Sequence, residues 1–125
     1  MHRDLSSYLT VVFSYGKAYV DMNWIKVIHE CNNVKYLPRL KKYIDGISVF
    51  DDKILPLINL DGSGNDSLKT LVIRHNSRLF MLSVLSVSSI SQFAVDSYEY
   101  DQFPFILNSD NRKIVDINAI SRYLN

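Results

Sequence analysis

The chain has 125 residues, 47% of them apolar and 22% charged, with a formal net charge of +1 at pH 7. That length makes one domain, or two half-size lobes sharing a core, and the near-zero charge excludes a strong electrostatic lure for nucleic acid or anionic membrane. Its single cysteine, Cys31, cannot pair within the chain, and no apolar run approaches the ~20 residues that span a bilayer.

Residues 1–7 (MHRDLSS) carry an acid and pass straight into alternating residues, unlike a signal peptide, so a soluble cytoplasmic protein is expected. The first predicted hairpin joins residues 8–14 to 17–23 and turns at Tyr15-Gly16. Leu9, Val11 and Phe13 fall on one face, as do Ala18, Val20 and Met22 on the return strand. Residues 24–30 (WIKVIHE) read two ways: Val27 and Ile28 favour a strand, while the spacing of Trp24 and Ile28 also fits one or two helical turns. Pro38 stands at a first helical position, followed by Leu40, Tyr43 and Ile44 at helical spacing and by Gly46 as a stop. A short helix or turn is therefore expected near 38–44. Two dense apolar runs follow, 47–50 and 54–60, pinned together by Asp51-Asp52. Two strands separated by two residues of turn-forming type are the strongest short-range hairpin signal.

Residues 61–67 (DGSGNDS) hold two of the four glycines and form the one clear linker. The plan then repeats. Residues 68–74 and 79–85 make a hairpin turning near Asn76-Ser77, and 87–90 (VSSI) stand where 25–28 (IKVI) stood. A last hairpin joins 103–107 to 113–117, and Asp116 caps a closing helix whose Ile117, Ile120 and Leu124 share a face. Lys53-Ile54 recurs as Lys113-Ile114, and Thr10-Val11-Val12-Phe13 as Thr70-Leu71-Val72-Ile73, both 60 positions on. The reading is one domain, 1–125, with pseudo-repeat units at about 8–60 and 68–120. Ten short strands in two matched sets argue for an all-β fold of two small SH3-like barrels packed side by side. Periodicity leaves open which strands belong to which barrel.

Chemistry-bearing clusters are sparse. His29 and Cys31, with His2 or His75 as a third, make one loose pair where a structural zinc needs four ligands. A half-buried Cys31 and a surface His29 are the plainer reading. Residues 61–66 carry the D-x-S-x-N spacing of a calcium loop, but Asp66 replaces the glycine at the sixth position and Val72 the acid at the twelfth. Ser83, Ser86, Ser88, Ser89 and Ser91 alternate with Val84, Leu85, Val87 and Ile90 as on a half-exposed strand, not as nucleophiles beside a base. Lys35, Arg39, Lys41 and Lys42 lie between Tyr36 and Tyr43, a basic cluster that reads as a solvated face rather than a nucleic-acid site. No catalysis, metal or cofactor is expected.

Laid out in this order, the chain resembles the CheW-type chemotaxis coupling domain. The family pattern runs F-x-x-G-x-x-Y, V-x-E-I, L-P-x-x-P-x-Y-I-x-G and N-L-R-G-x-x-x-P-V-x-D-L. Here it reads Phe13, Gly16 and Tyr19; Ile25, Val27 and Ile28; Leu37-Pro38 through Tyr43-Ile44-Asp45-Gly46; and Val49-Phe50-Asp51-Asp52 through Pro56, Asn59 and Leu60. The resemblance covers nearly the whole chain and weakens after Thr70. Where the family has Glu, Arg-Gly and Asp, this chain has Val27, Asp51-Asp52 and Asn59. The G-L-x-V-D of the second unit becomes Met81-Leu82-Ser83-Val84-Leu85, and the longer insert that many relatives carry after D-L is missing.

The resemblance implies two intertwined five-stranded barrels and a non-catalytic adaptor that links a chemotaxis histidine kinase regulatory domain to the cytoplasmic tip of a chemoreceptor, without nucleic acid or membrane insertion. It implies kinase contact through Ile25, Val27 and Ile28, and receptor contact through Val49, Phe50, Asp51, Asp52, Val84 and Val87. Asp51 in place of the family's Arg reverses a charge in the groove, and like charges across an interface cost roughly several kcal/mol. The alternative is a stand-alone β-barrel interaction module outside chemotaxis, which the joint loss of Glu, Arg and Asp favours.

Overall fold

Three two-residue loops without glycine set the outline of the structure. The computed structural model describes residues 5–30, 34–36, 41–60 and 69–125. Its elements are β1 (Ser6–Phe13), β2 (Gly16–Asp21), a 3-10 turn (Met22–Trp24), β3 (Ile25–Glu30), β4 (Lys35–Tyr36), β5 (Ile44–Phe50) and β6 (Lys53–Ile58). The second half supplies β7 (Lys69–His75), β8 (Arg78–Val84), β9 (Ser86–Phe93), β10 (Glu99–Tyr100), β11 (Ile106–Ser109), β12 (Arg112–Val115) and α1 (Ile117–Tyr123). The loops Asp51-Asp52, Asn76-Ser77 and Asp110-Asn111 join β5–β6, β7–β8 and β11–β12, and all six residues have φ between 49° and 70°. Positive φ at both positions is what a twisted hairpin with a two-residue loop requires, and Asp and Asn tolerate it better than most residues. The first hairpin turns one residue earlier than expected: Phe13 pairs with Gly16, leaving Ser14-Tyr15 as the loop.

Two six-stranded sheets result, ordered β10-β11-β12-β2-β1-β9 and β4-β5-β6-β8-β7-β3. Position by position the strand numbers differ by six, so the two orders are the same plan. Each sheet takes four strands from one half of the chain and a hairpin from the other. The exchanged hairpins join through parallel contacts, β2 to β12 and β8 to β6. The barrels are therefore intertwined. Leaving aside the two-residue outer strands β4 and β10, each set has five strands, as expected.

The register corrects the sequence spacing. Ser14 and Asn76 open equivalent loops 62 residues apart, and Asp51 and Asp110 do so 59 apart. Leu71 thus matches Leu9, since the two pair with Leu82 and Val20 in the same way. The identities at a spacing of 60 are not the equivalent residues. Ile54 is 68% exposed while Ile114 is 7% exposed, because a slip of one residue turns a side chain to the other face.

Residues 24–30 resolve as a 3-10 turn and then strand. Asp21 Oδ1 accepts from the Asn23 N–H at 2.9 Å and caps the turn. Of the helix expected near 38–44, residues 37–40 lie outside the described residues; 41–43 form a turn closed by Ile44 N–H to Lys41 O at 3.3 Å. His2, Cys31, Arg39 and the linker at 61–67 also lie outside the described residues. The closing helix forms as read: Asp116 Oδ1 accepts from the Ala119 N–H at 3.1 Å, and Ile117 and Ile120 are buried.

Three apolar clusters account for the burial pattern. The largest lies between the sheets and joins Leu9, Val11, Phe13, Ala18 and Val20 to Leu71, Ile73, Phe80 and Leu82, with Ile58, Ile117 and Ile120. A smaller cluster, Leu55, Leu57, Val72 and Met81, fills one barrel, and Tyr8, Phe93 and Ile114 fill the other. β1 and β7 are buried on both faces because each contributes to two clusters.

Candidate protein-interaction site

β3 is one of the two edge strands of its sheet and, among the described residues, pairs only with β7. Val27 stands opposite Val72 and Ile28 opposite Leu71, so the two point to different faces; they are 37% and 45% exposed. Ile25 is half-buried against the large cluster. Of the three residues proposed for kinase contact, two thus reach solvent. β9 holds the same place in the other sheet: Val87 and Ile90 pair with Val11 and Leu9 as Ile25 and Ile28 pair with Ile73 and Leu71. Ile90, 59% exposed, is the counterpart of Ile28. It was absent from the expected site, although the match of VSSI to IKVI pointed to it.

The β5–β6 hairpin divides the expected receptor residues. Val49 and Ile54 are cross-strand partners on the outer face, 59% and 68% exposed, and the next pair in from the tip, Ile47 with Pro56, is half-buried. Farther along the same strand, Ile58 is fully buried between the sheets. Phe50 points the other way, against the small cluster of Leu55, Leu57, Val72 and Met81. Its ring lies 5.7 Å from that of His29 and 5.9 Å from Lys26 Nζ, both on β3. Adjacent strand residues face opposite sides, so Val49 and Phe50 cannot line one surface. Asp51 and Asp52 are exposed at the tip. Val84 is a core residue, 2% exposed, with no surface to offer a partner, and Val87 is half-buried against the same cluster. Alternation of Val with Ser misled there, because β8 is covered on both faces.

Asn59, at the position of the family's Asp, is buried too. Its side-chain amide donates to Asp45 Oδ2 at 2.6 Å. Among the described residues no three His, Cys, Asp or Glu side chains converge on a point that would hold a metal ion. No helix among them is long and apolar enough to cross a membrane.

No family model matches the chain, and no curated protein matches it. Among solved structures it is similar to the scaffolding protein TtCheW from Thermoanaerobacter tengcongensis, with a TM-score of 0.71 over 90% of this chain and 88% of that one. The fold is CheW-like. Sequence identity over that match is 14%, so the likeness is one of fold. The CheW-like fold here carries an acidic pair at the β5–β6 tip and exposed apolar residues on the edge strands β3 and β9.

Proposed function

We propose that the chain is a non-catalytic cytoplasmic adaptor of the chemotaxis coupling type, joining the regulatory domain of a chemotaxis histidine kinase to the cytoplasmic tip of a chemoreceptor. The carrying observation is that a CheW-like fold exposes Val27 and Ile28 on an outermost strand, where the resemblance puts kinase contact. Isolated exposed apolar residues need no explanation, but β-branched residues on both faces of an edge strand with no outer neighbour among the described residues are an aggregation risk that a partner strand or barrel would remove. The exposed Val49, Asp51 and Asp52 would meet the receptor. Ile25 and Val87 are half-buried against the core between the sheets, and the Phe50 ring lies against His29 and Lys26 of β3.

Titration of the purified protein with a kinase regulatory domain and with a receptor cytoplasmic fragment tests the proposal. Ile28→Asp is expected to weaken kinase-domain binding at least tenfold while leaving the receptor fragment bound. Absence of binding to both partners ends the coupling role, though not the fold. The replacement of Arg-Gly by Asp51-Asp52 favours a second reading, an interaction module that has left chemotaxis. An adaptor gene should lie beside kinase and receptor genes, and a module of the second kind should not.

A further inference from the structure

We infer that the outer face of the β5–β6 hairpin receives one amphipathic helix whose apolar stripe is bordered by lysine or arginine at the end that meets Asp51 and Asp52. The inference rests on the coupling role proposed above and names the chemistry of the receptor-side partner. It departs from what the resemblance implies, since the family's Arg at this turn would call for the opposite charge.

The face has four apolar side chains in two rows. Val49 and Ile54 form the exposed row, and Ile47 and Pro56 the half-buried one behind it. Burial deepens along β6 from Ile54 through Pro56 to Ile58, and Ile58 belongs to the core between the two sheets. The rows are about 7 Å apart, and the three strands β4, β5 and β6 are about 10 Å across. One helix is about 10 Å wide with a pitch of about 5.4 Å, so side chains one turn apart reach both rows.

The charges are arranged asymmetrically. Asp51 and Asp52 stand exposed at the tip with φ of 51° and 61°, a turn that holds both in place. Among the described residues, the cations nearest the tip lie on the other face. Lys53 is the cross-strand partner of Phe50, and Lys26 lies over the Phe50 ring, both on the opposite side of the hairpin. At the far end of the outer face Lys35 is exposed and pairs with Ile47. The strip is therefore acidic at one end and basic at the other. A helix with a cation at the Asp51-Asp52 end and none near Lys35 matches it in one direction only.

The test uses two hydrocarbon-stapled helical peptides with the same Leu/Ile stripe, one bearing Lys and the other Glu at one end. Fluorescence anisotropy is expected to show the Lys peptide binding at least tenfold tighter at 50 mM NaCl, with the preference shrinking at 500 mM as screening shortens the reach of the charges. Asp51→Asn combined with Asp52→Gly keeps the turn and should abolish the preference; Val49→Ser with Ile54→Ser should weaken both peptides. Equal binding, a preference for Glu, binding of neither peptide, or a preference that survives the Asn-Gly variant overturns the inference. The coupling role is read separately: if the receptor fragment binds the protein and its Asn-Gly variant alike, only the charge assignment fails. If neither the kinase domain nor the receptor fragment binds but the Lys preference holds, the coupling role fails and the docking face stands.

Discussion

Asn59 donates its side-chain amide to the Asp45 carboxylate at 2.6 Å, and the two residues are 5% and 6% exposed. The Asn59 N–H also donates to Tyr43 O at 2.9 Å, which ties the end of β6 to the start of β5. The loss of the family's Asp at this position therefore reads as an internal exchange of hydrogen-bond partner, not as a change of binding surface. Restoring it, Asn59→Asp, would set two carboxylates at hydrogen-bond distance, where they can coexist only by sharing a proton. The expected cost at pH 8 is about 2–3 kcal/mol, the value of a hydrogen bond to a charged group together with the repulsion left behind. That proton is held more tightly than in the unfolded chain, so the deficit shrinks in acid and grows as pH rises. Urea unfolding of both proteins at pH 5 and pH 8 measures it.

Asp101 is the anchor of the β10–β11 loop. Its side chain is 4% exposed, accepts from the Phe103 N–H at 3.0 Å and from Lys113 Nζ at 2.9 Å, and is also bonded by the Asn108 amide. The Phe103 N–H first, then Lys113, hold its carboxyl below the usual range. A folded-state value below the unfolded one gives stability that is present above the unfolded value and lost as pH falls through the folded one. Asp101→Asn is expected to lower stability at pH 7 by about 1–3 kcal/mol. Its unfolding midpoint should also depend less on pH below about 4 than that of the parent. Equal acid slopes would refute the assignment.

Phe105 has φ of 62°, in the left-handed region where a bulky residue is strained. Pro104 precedes it, which suits the second position of a turn whose third position ordinarily takes glycine. Packing holds it there: its ring lies 5.1 Å from Tyr43 and 5.5 Å from Tyr123, and the Phe105 carbonyl accepts from the Asp116 N–H at 2.8 Å beside α1. Phe105→Ala loses the rings and keeps the strain; Phe105→Gly loses the rings and relieves it. Gly is therefore expected to be the more stable of the two by about 1 kcal/mol, the reverse of the usual order. Thermal melts of the pair decide this.

The hairpins were legible because each rests on a short-range signal, two strands of alternating residues around a pair such as Asp51-Asp52 or Asn76-Ser77. The exchange of hairpins between barrels was not. The parallel junction of β2 with β12 has one register pair, Tyr19 with Ile114, between segments nearly a hundred residues apart, and alternation carries no record of such a partner. The Tyr43, Phe105 and Tyr123 cluster was invisible for the same reason. At the site, β-strand alternation alone separates Val49 from Phe50, and the expectation that both line one groove overlooked it. The burial of Val84 had no local signal, since Ser83 beside it is buried as well.

The Asp51-Asp52 loop gives a last prediction, in which stability and recognition pull apart. Both residues are at positive φ, 51° and 61°, with Phe50 and Lys53 paired on either side. Asn-Gly is the pair that this turn favours, because asparagine and glycine reach left-handed φ at less cost than aspartate. Two adjacent carboxylates also repel each other across the tip. Asp51→Asn with Asp52→Gly is therefore expected to stabilise the fold by about 0.5–1.5 kcal/mol, with the greater share from Asp52→Gly. The gain should be larger at 10 mM than at 500 mM salt, because screening already relieves part of the repulsion in the parent. Chemical denaturation at the two salt concentrations measures both terms. A destabilised variant would mean that the two carboxylates hold the turn through interactions stronger than the strain they impose.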